Sequence, residues 1–128
     1  MTALVVDASA FVEVCLRTPR GQRAAAVLVG AQWHVPAHFD VEVFSAYARL
    51  FKRGLLTRDE ARNLLGDLRV INAIRHEVHH RVGLAWHRID NLSPADALYA
   101  ELAASLNAPL VTCDAGLAAQ VPDAVLIE

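Results

Sequence analysis

The hydrophobic positions of this chain alternate between short continuous runs and the three-to-four-residue spacing of helices. Short apolar runs predict β-strands at residues 3–6, 33–35, 70–73, 110–113 and 125–127. Helical spacing and end signals predict helices at residues 8–16, 22–29, 39–54, 57–68, 77–89 and 93–107. Strand and helix patterns that succeed one another in this way indicate an α/β fold.

The predicted strands consist almost wholly of leucine, valine and isoleucine. Strands that are apolar on both faces are typical of a parallel sheet covered by helices on either side. At 128 residues the chain has the usual size of one domain, and neither a repeat nor a low-complexity linker divides it. We therefore expect a single domain over residues 1–128, built on a short-stranded parallel sheet.

Four acidic residues follow or flank the predicted strands: Asp7, Glu42, Asp96 and Asp114. Asp7 and Asp114 come directly after strands, whereas Glu42 and Asp96 lie near the starts of helices. Because ligands of open parallel sheets bind beyond the carboxyl ends of the strands, all four are predicted to meet at one edge. Two further acids come near the same edge in this topology, Asp40 and Asp90.

Each acid also has a purely structural interpretation. Asp7 and Asp114 could cap the helices that follow them, and Asp96 completes a Ser93-x-x-Asp96 capping box. Glu42 is harder to explain in this way, because apolar residues flank it on an otherwise apolar, aromatic helix. Single motifs therefore leave both interpretations open, and the four acids together favour a shared site.

Oxygen ligands without cysteine suit Mg²⁺, or alternatively Mn²⁺, which bind phosphate oxygens while keeping several waters. The formal net charge of −2 argues against a uniformly basic nucleic-acid binder. If metal neutralised four of the fourteen acids, however, ten acids would face twelve bases. Arg49, Lys52 and Arg53 lie on the exposed part of the Glu42 helix, where they could contact RNA or form a solvated face.

The segment His76-Glu77-Val78-His79-His80 satisfies the H-E-x-x-H pattern of zinc peptidases. That pattern functions on a helix, where His76 and His80 would bind zinc and Glu77 would serve as the base. A third histidine at the metzincin spacing is absent, because position 86 is Trp86. A zinc metallopeptidase is therefore an alternative function.

The remaining composition places limits on the class of protein. The first residues lack the features of a signal peptide, and no uncharged stretch is long enough to span a bilayer. The two cysteines, Cys15 and Cys113, fit reduced thiols packed in the core of a cytoplasmic protein. An apolar fraction of 55% suggests that another protein chain covers some of the surface.

Four segments resemble the PIN-domain ribonucleases in order and spacing. They are Leu4-Val5-Val6-Asp7-Ala8-Ser9, Pro36 with Glu42-Val43, Asp96-Ala97-Leu98-Tyr99, and Ala108-Pro109-Leu110-Val111-Thr112-Cys113-Asp114. More narrowly, the chain resembles the VapC-type toxins of bacterial toxin–antitoxin pairs over essentially its whole length. This resemblance implies a PIN-like α/β/α sandwich.

The resemblance also implies a function and a set of residue roles. Asp7, Glu42, Asp96 and Asp114 would bind metal, and the hydroxyls of Ser9 and Thr112 would support them. The activity would be that of a Mg²⁺-dependent endoribonuclease acting on RNA phosphodiester bonds. The implied partners are a cognate antitoxin that blocks the acidic pocket with a basic side chain, and a second copy of the chain. A catalytically silent PIN-like binding module is the remaining alternative.

Overall fold

The computed structural model describes all residues, 1–128, and contains five strands and seven helices. The strands are β1 (Ala3–Val6), β2 (Gln32–Pro36), β3 (Ala73–His76), β4 (Leu110–Thr112) and β5 (Val125–Leu126). The helices are α1 (Ala8–Leu16), α2 (Pro19–Leu28), α3 (Phe39–Lys52), α4 (Arg58–Val70), α5 (Val82–Ala85), α6 (Pro94–Leu106) and α7 (Ala115–Ala118).

All five strands belong to one parallel sheet in the order β3-β2-β1-β4-β5. The chain builds outward from β1 to β2 and β3, and then crosses to the opposite side of β1 for β4 and β5. The strand order therefore reverses between β1 and β4, which is where open α/β sheets bind their ligands. This arrangement confirms the predicted α/β fold.

Two hydrophobic clusters cover the two faces of the sheet. Successive side chains of β1 point to opposite faces, so Leu4 and Val6 join one cluster and Val5 joins the other. Residues of α1 to α4 complete the first cluster, and residues of α5 to α7 complete the second. The result is the three-layered α/β/α sandwich that the resemblance implies.

Most predicted elements are present, although three differ from the prediction and the short helix α7 was not predicted. Helix α2 begins at Pro19 instead of residue 22, because Thr18 accepts a hydrogen bond from Gly21 N and caps a helix whose first residue is proline. The predicted strand at 70–73 lies instead at Ala73–His76, since α4 continues to Val70. Residues 77–89 do not form one helix: they contain a short 3₁₀ turn on each side of the four-residue α5.

End signals in the sequence locate two helices well. The predicted capping box of α4 is present, with Thr57 Oγ1 accepting from Glu60 N and Thr57 N donating to the Glu60 carboxylate. Asn107 adopts the left-handed conformation after α6, as expected for a helix-terminating residue. No helix combines the length and the apolar character needed to cross a bilayer.

The corner between α1 and α2 requires a residue without a side chain at position 21. Gly21 is buried, and a Cβ atom built on it would overlap the backbone carbonyl of Glu13. The same corner is held by Thr18, whose hydroxyl accepts from Gly21 N at 2.9 Å and contacts the Glu13 carboxylate. Helix α2 therefore crosses α1 at close backbone contact.

We predict that Gly21→Ala lowers the free energy of unfolding by at least about 2 kcal/mol, because the added methyl group meets backbone that cannot rotate away. Urea denaturation measures this value. Gly66→Ala is the matched control: Gly66 lies in α4 with open space around it. Removing a helical glycine there should stabilise the protein by about 0.5–1 kcal/mol. Equal stability of Gly21→Ala and the natural protein would contradict the close helix crossing.

Candidate active site

The ends of β1 and β4 bring two predicted site residues together. Asp7 follows β1 directly, and Asp114 lies two residues beyond the end of β4. These strands are neighbours at the point where strand order reverses. Asp114 is exposed and its Oδ1 accepts from Leu117 N at 3.2 Å, so it does cap α7. Asp7 is 6% exposed and makes no side-chain cap bond to α1.

Two hydroxyl groups hold the Asp7 carboxylate. Ser9 Oγ and Thr112 Oγ1 each donate to Asp7 Oδ2 at 2.7 Å. The same hydroxyl oxygens accept from the backbone, Ser9 from Cys113 N at 3.1 Å and Thr112 from Asp114 N at 3.0 Å. The ends of β1 and β4 are thus connected through Asp7. Both bonds use Oδ2, which leaves Oδ1 available for a ligand.

His38 connects the two helices that carry the other acids. Its ring lies at the start of α3, and Nε2 donates to Ala95 O, in the first turn of α6, at 3.1 Å. Glu42 follows one turn later on α3, with Oε1 at 4.0 Å from His38 Nε2. Asp96 follows Ala95 directly. This contact between helix starts places the Glu42 and Asp96 carboxylates at the same edge of the sheet.

Tyr99 performs the capping that Asp7 does not. Its buried hydroxyl accepts from Ala8 N, the first amide of α1, at 3.3 Å. Burial, together with the charges of Asp7 and Glu42, raises the pKa of Tyr99 well above its ordinary value. The hydroxyl therefore keeps its proton beside two carboxylates. Since Tyr99 satisfies the helix amide, Asp7 remains free for another role.

All four predicted acids line one cleft of about 330 Å³. They are Asp7, Glu42, Asp96 and Asp114. The cleft also contains residues that the sequence did not single out, among them Glu13 and Arg20. Asp40 and Asp90 do not line it; Asp40 forms a bidentate ion pair with Arg75 on the edge strand.

Burial, and to a lesser extent neighbouring charge, disfavours the ionised forms of three acids in this cleft. Burial, followed by the charges of Asp7, Asp114 and Glu42, raises the pKa of Asp96 to about 6. Burial also raises the pKa of Asp7, although its bonds to Ser9 and Thr112 oppose this shift. Burial likewise raises the pKa of Glu42. An arrangement that holds like charges this close is characteristic of sites that bind a cation or catalyse proton transfer.

The donor set fits a hard divalent cation. The four predicted acids offer carboxylate oxygens only, and Glu42 Oε1 is buried without a hydrogen-bond partner. No three His, Cys, Asp or Glu side chains are already arranged around a single point as metal ligands. Mg²⁺ does not require such an arrangement, because it keeps several waters and commonly binds proteins through one or two carboxylates.

The three basic residues proposed from the sequence do not lie together. Arg49 lines the cleft one turn beyond Ala46, whereas Lys52 and Arg53 lie at the end of α3 and do not reach it. The sequence analysis did not single out Arg20, because it lies between the predicted helices at residues 8–16 and 22–29, whereas α2 begins at Pro19. The proline after Thr18 is a signal for a helix start and could have placed Arg20 in the first turn of α2.

The H-E-x-x-H segment does not form the helix that a zinc peptidase requires. His76 ends β3, Glu77 lies outside any helix, and His80 lies in a 3₁₀ turn. His76 Nε2 instead forms a 2.9 Å hydrogen bond with His34 Nδ1 on the neighbouring strand. The predicted helix at 77–89 was wrong here, and the zinc alternative loses its geometric basis. Cys15 and Cys113 are free thiols, both half-buried.

Comparison with known proteins supports a single family. The sequence profile of the PIN domain matches residues 4–122. Ribonuclease VapC3 of Mycobacterium tuberculosis is 41% identical over 122 residues, which cover 94% of this chain and 89% of the relative. Ribonuclease VapC12 of the same species is 36% identical over 115 residues, which cover 90% of this chain and 89% of the relative.

Solved structures show the same fold. PAE2754 from Pyrobaculum aerophilum superposes with a TM-score of 0.73 at 21% identity, covering 98% of this chain and 84% of that one. The structure of VapBC2 from Rickettsia felis bound to a DNA fragment from their promoter gives a TM-score of 0.67 at 12% identity, covering 98% and 97%. The chain therefore belongs to the PIN-domain family and, within it, to the VapC group, which confirms the resemblance carried by its four sequence motifs.

Proposed function

We propose that this protein is a divalent-metal-dependent endoribonuclease, with Mg²⁺ as its cofactor and RNA as its substrate. The observation that carries the proposal is the meeting of four carboxylates from distant segments in one cleft. The identity of 41% to a relative named as a ribonuclease supports the same conclusion. Carboxylates held at this density would repel a phosphodiester unless a cation were bound between them.

Asp7, Glu42, Asp96 and Asp114 would hold the ion. When bound, a divalent cation activates water and stabilises the charge that develops on the phosphodiester during hydrolysis. Asp7 is suited to be the central ligand, because its Oδ2 is fixed by Ser9 and Thr112 while its Oδ1 accepts no hydrogen bond. The supporting roles of both hydroxyls in this proposal are to orient that carboxylate and to keep it ionised.

Arg49 would contact the RNA backbone, since its side chain shares the cleft with the carboxylates. Lys52 and Arg53 would bind RNA farther from the reaction, because Lys52, the last residue of α3, lies about 15 Å along the helix axis from Glu42. Guanidinium groups suit this task, because their fixed donors match the geometry of a phosphate.

The proposed partners are a cognate antitoxin and a second copy of the chain. A cationic side chain of an antitoxin would compete with metal for the carboxylates of the cleft. A surface for self-association is available on α5 and the turn that follows it, where Val82, Leu84 and Trp86 are 54%, 62% and 68% exposed. Exposed apolar residues in such a group are typical of protein interfaces.

We predict that Asp7→Asn lowers the rate of RNA cleavage by at least about a hundredfold, because the amide removes the charge on which cation binding depends. The fold should persist, since asparagine still accepts a hydrogen bond through its one carbonyl oxygen. The measurement is incubation with total RNA and Mg²⁺, followed by mapping of new 5′ ends.

Asp90→Asn is the control for this experiment, because Asp90 is exposed and lies outside the cleft. Asp90→Asn should cleave RNA at the same rate as the natural protein, and EDTA should stop cleavage by both proteins. If the natural protein cleaved no RNA with Mg²⁺ or Mn²⁺, the chain would be a silent binding module and the proposal would be wrong. Cleavage by Asp7→Asn at the natural rate would refute the role of the carboxylate.

We also predict a pH-dependent effect of metal on stability. The pKa of Asp96 is about 6 in the metal-free folded protein, above its ordinary value of 3.8. Consider an acid whose pKa is higher in the folded protein than in the unfolded chain. Its contribution to the free energy of unfolding is greatest below the pKa of the unfolded state and is lost as pH rises through the pKa of the folded state. Asp96→Asn should therefore stabilise the metal-free protein at pH 7.5, by about 1 kcal/mol for a half-exposed group, and have little effect near pH 4.

The same variant should lose most of the increase in Tm that Mg²⁺ gives the natural protein at pH 7.5. In the natural protein that increase should shrink as pH falls below about 6, because protonated Asp96 binds metal poorly. Calorimetry with and without Mg²⁺ at both pH values tests this coupling. A metal-induced shift in Tm that is independent of both pH and residue 96 would exclude Asp96 from the metal site.

A further inference from the structure

The cleft contains an ion pair that has no role in the proposed metal site or in the hydroxyl groups of Ser9 and Thr112 that support it. Arg20, in the first turn of α2, and Glu13, on α1, both line the cleft beside the four carboxylates. Arg20 Nη2 donates to Glu13 Oε1 at 2.8 Å. The side chains are 42% and 21% exposed, respectively, so the guanidinium reaches solvent while its anchor lies deeper.

The backbone around this pair is built to hold it in place. Thr18 bonds to the Glu13 carboxylate and caps α2, which fixes Glu13 from a second direction. Gly21 lets α2 approach the Glu13 backbone so closely that no side chain fits. Arg20 therefore projects from a rigid corner, and its position over the cleft does not depend on a flexible loop.

The ion pair leaves most of the guanidinium available. Arginine carries five N–H donors in a fixed fork, and the hydrogen bond to Glu13 uses Nη2 alone. By contrast, Arg75 uses both Nε and Nη2 on Asp40 and also donates to Leu68 O, outside the cleft. The Arg75 pair satisfies its members and joins two elements. The Arg20 pair instead presents unsatisfied donors to a cleft that must accept a polyanion.

We propose that Arg20 binds a backbone phosphate of the RNA beside the scissile one, and that Glu13 positions the guanidinium for this contact. The inference rests on the proposed ribonuclease function and adds a substrate-binding residue to it. Arg20, on α2, would secure the strand independently of Arg49, on α3. Glu13 is a fifth acid of the cleft, but its partners Thr18 and Arg20 assign it to positioning instead of metal binding.

The test is steady-state cleavage of a single-stranded RNA by the full chain with Mg²⁺ over a series of KCl concentrations. Each phosphate contact to single-stranded nucleic acid contributes about 0.7 to the slope of log affinity against log salt. Arg20→Gln should raise KM several-fold, leave kcat within about twofold, and reduce the salt slope of kcat/KM by about 0.7. Arg20→Lys should restore the slope but only part of the affinity, because it keeps the charge and loses the fork.

Arg69→Gln is the matched control, because Arg69 is an exposed arginine on α4 outside the cleft. Arg69→Gln should change neither KM nor the salt slope of kcat/KM. Glu13→Ala should raise KM, and in the double variant with Arg20→Gln it should add no further increase, since both act through one guanidinium. A purely structural pair would instead lower Tm in each variant without changing KM or the salt slope.

The outcomes separate this inference from the function on which it rests. If the natural protein cleaves RNA and Arg20→Gln has the natural KM and salt slope, the phosphate contact is refuted and the ribonuclease stands. Additive effects of Glu13→Ala and Arg20→Gln on KM would refute the positioning role of Glu13. If the natural protein does not cleave RNA with divalent metal, the ribonuclease proposal fails and the phosphate contact fails with it.

Discussion

The confinement of four carboxylates to one partly desolvated edge of the sheet is the constraint on which this structure depends. Asp96 shows the effect most directly, since burial and three neighbouring acids raise its pKa to about 6. An arrangement that destabilises its own ionised form persists only when surrounding contacts enforce it, and a ligand that neutralises the charge would relieve it. A divalent cation, as proposed above, would be such a ligand.

The enforcing contacts connect segments far apart in the sequence. Thr112 reaches Asp7 across 105 residues, Tyr99 reaches Ala8 across 91, and His38 reaches Ala95 across 57. Each contact joins the end of a strand or the start of a helix to another element at the same edge. A folded sheet is therefore required before the acids can meet, so a cation bound by them would stabilise the native state.

Sequence patterns were sufficient for the parallel sheet, because apolar strands and helix end signals such as the Thr57 capping box are local. They also placed Asp7, Glu42, Asp96 and Asp114 at one edge, because that inference needs only strand direction. They failed where tertiary contacts decide conformation. The segment after His76 has no amphipathic helix, and β3 is displaced because α4 extends to Val70. Arg20 lay outside the predicted helix at 22–29, and its place in the cleft also depends on the close crossing of two helices at Gly21.

Charge is distributed in the cleft in a way that suits a polyanionic substrate. The four acids, whose negative charge a bound cation would offset, share the cleft with Arg20 and Arg49, which reach it from separate helices. The most direct test of the central claim is anomalous diffraction from crystals soaked in Mn²⁺, a stand-in for Mg²⁺. A peak about 2.1 Å from a carboxylate oxygen of Asp7 and from a second acid of the cleft is expected. Anomalous peaks for Mn²⁺ at full occupancy elsewhere on the surface, with no peak among these acids, would contradict the account.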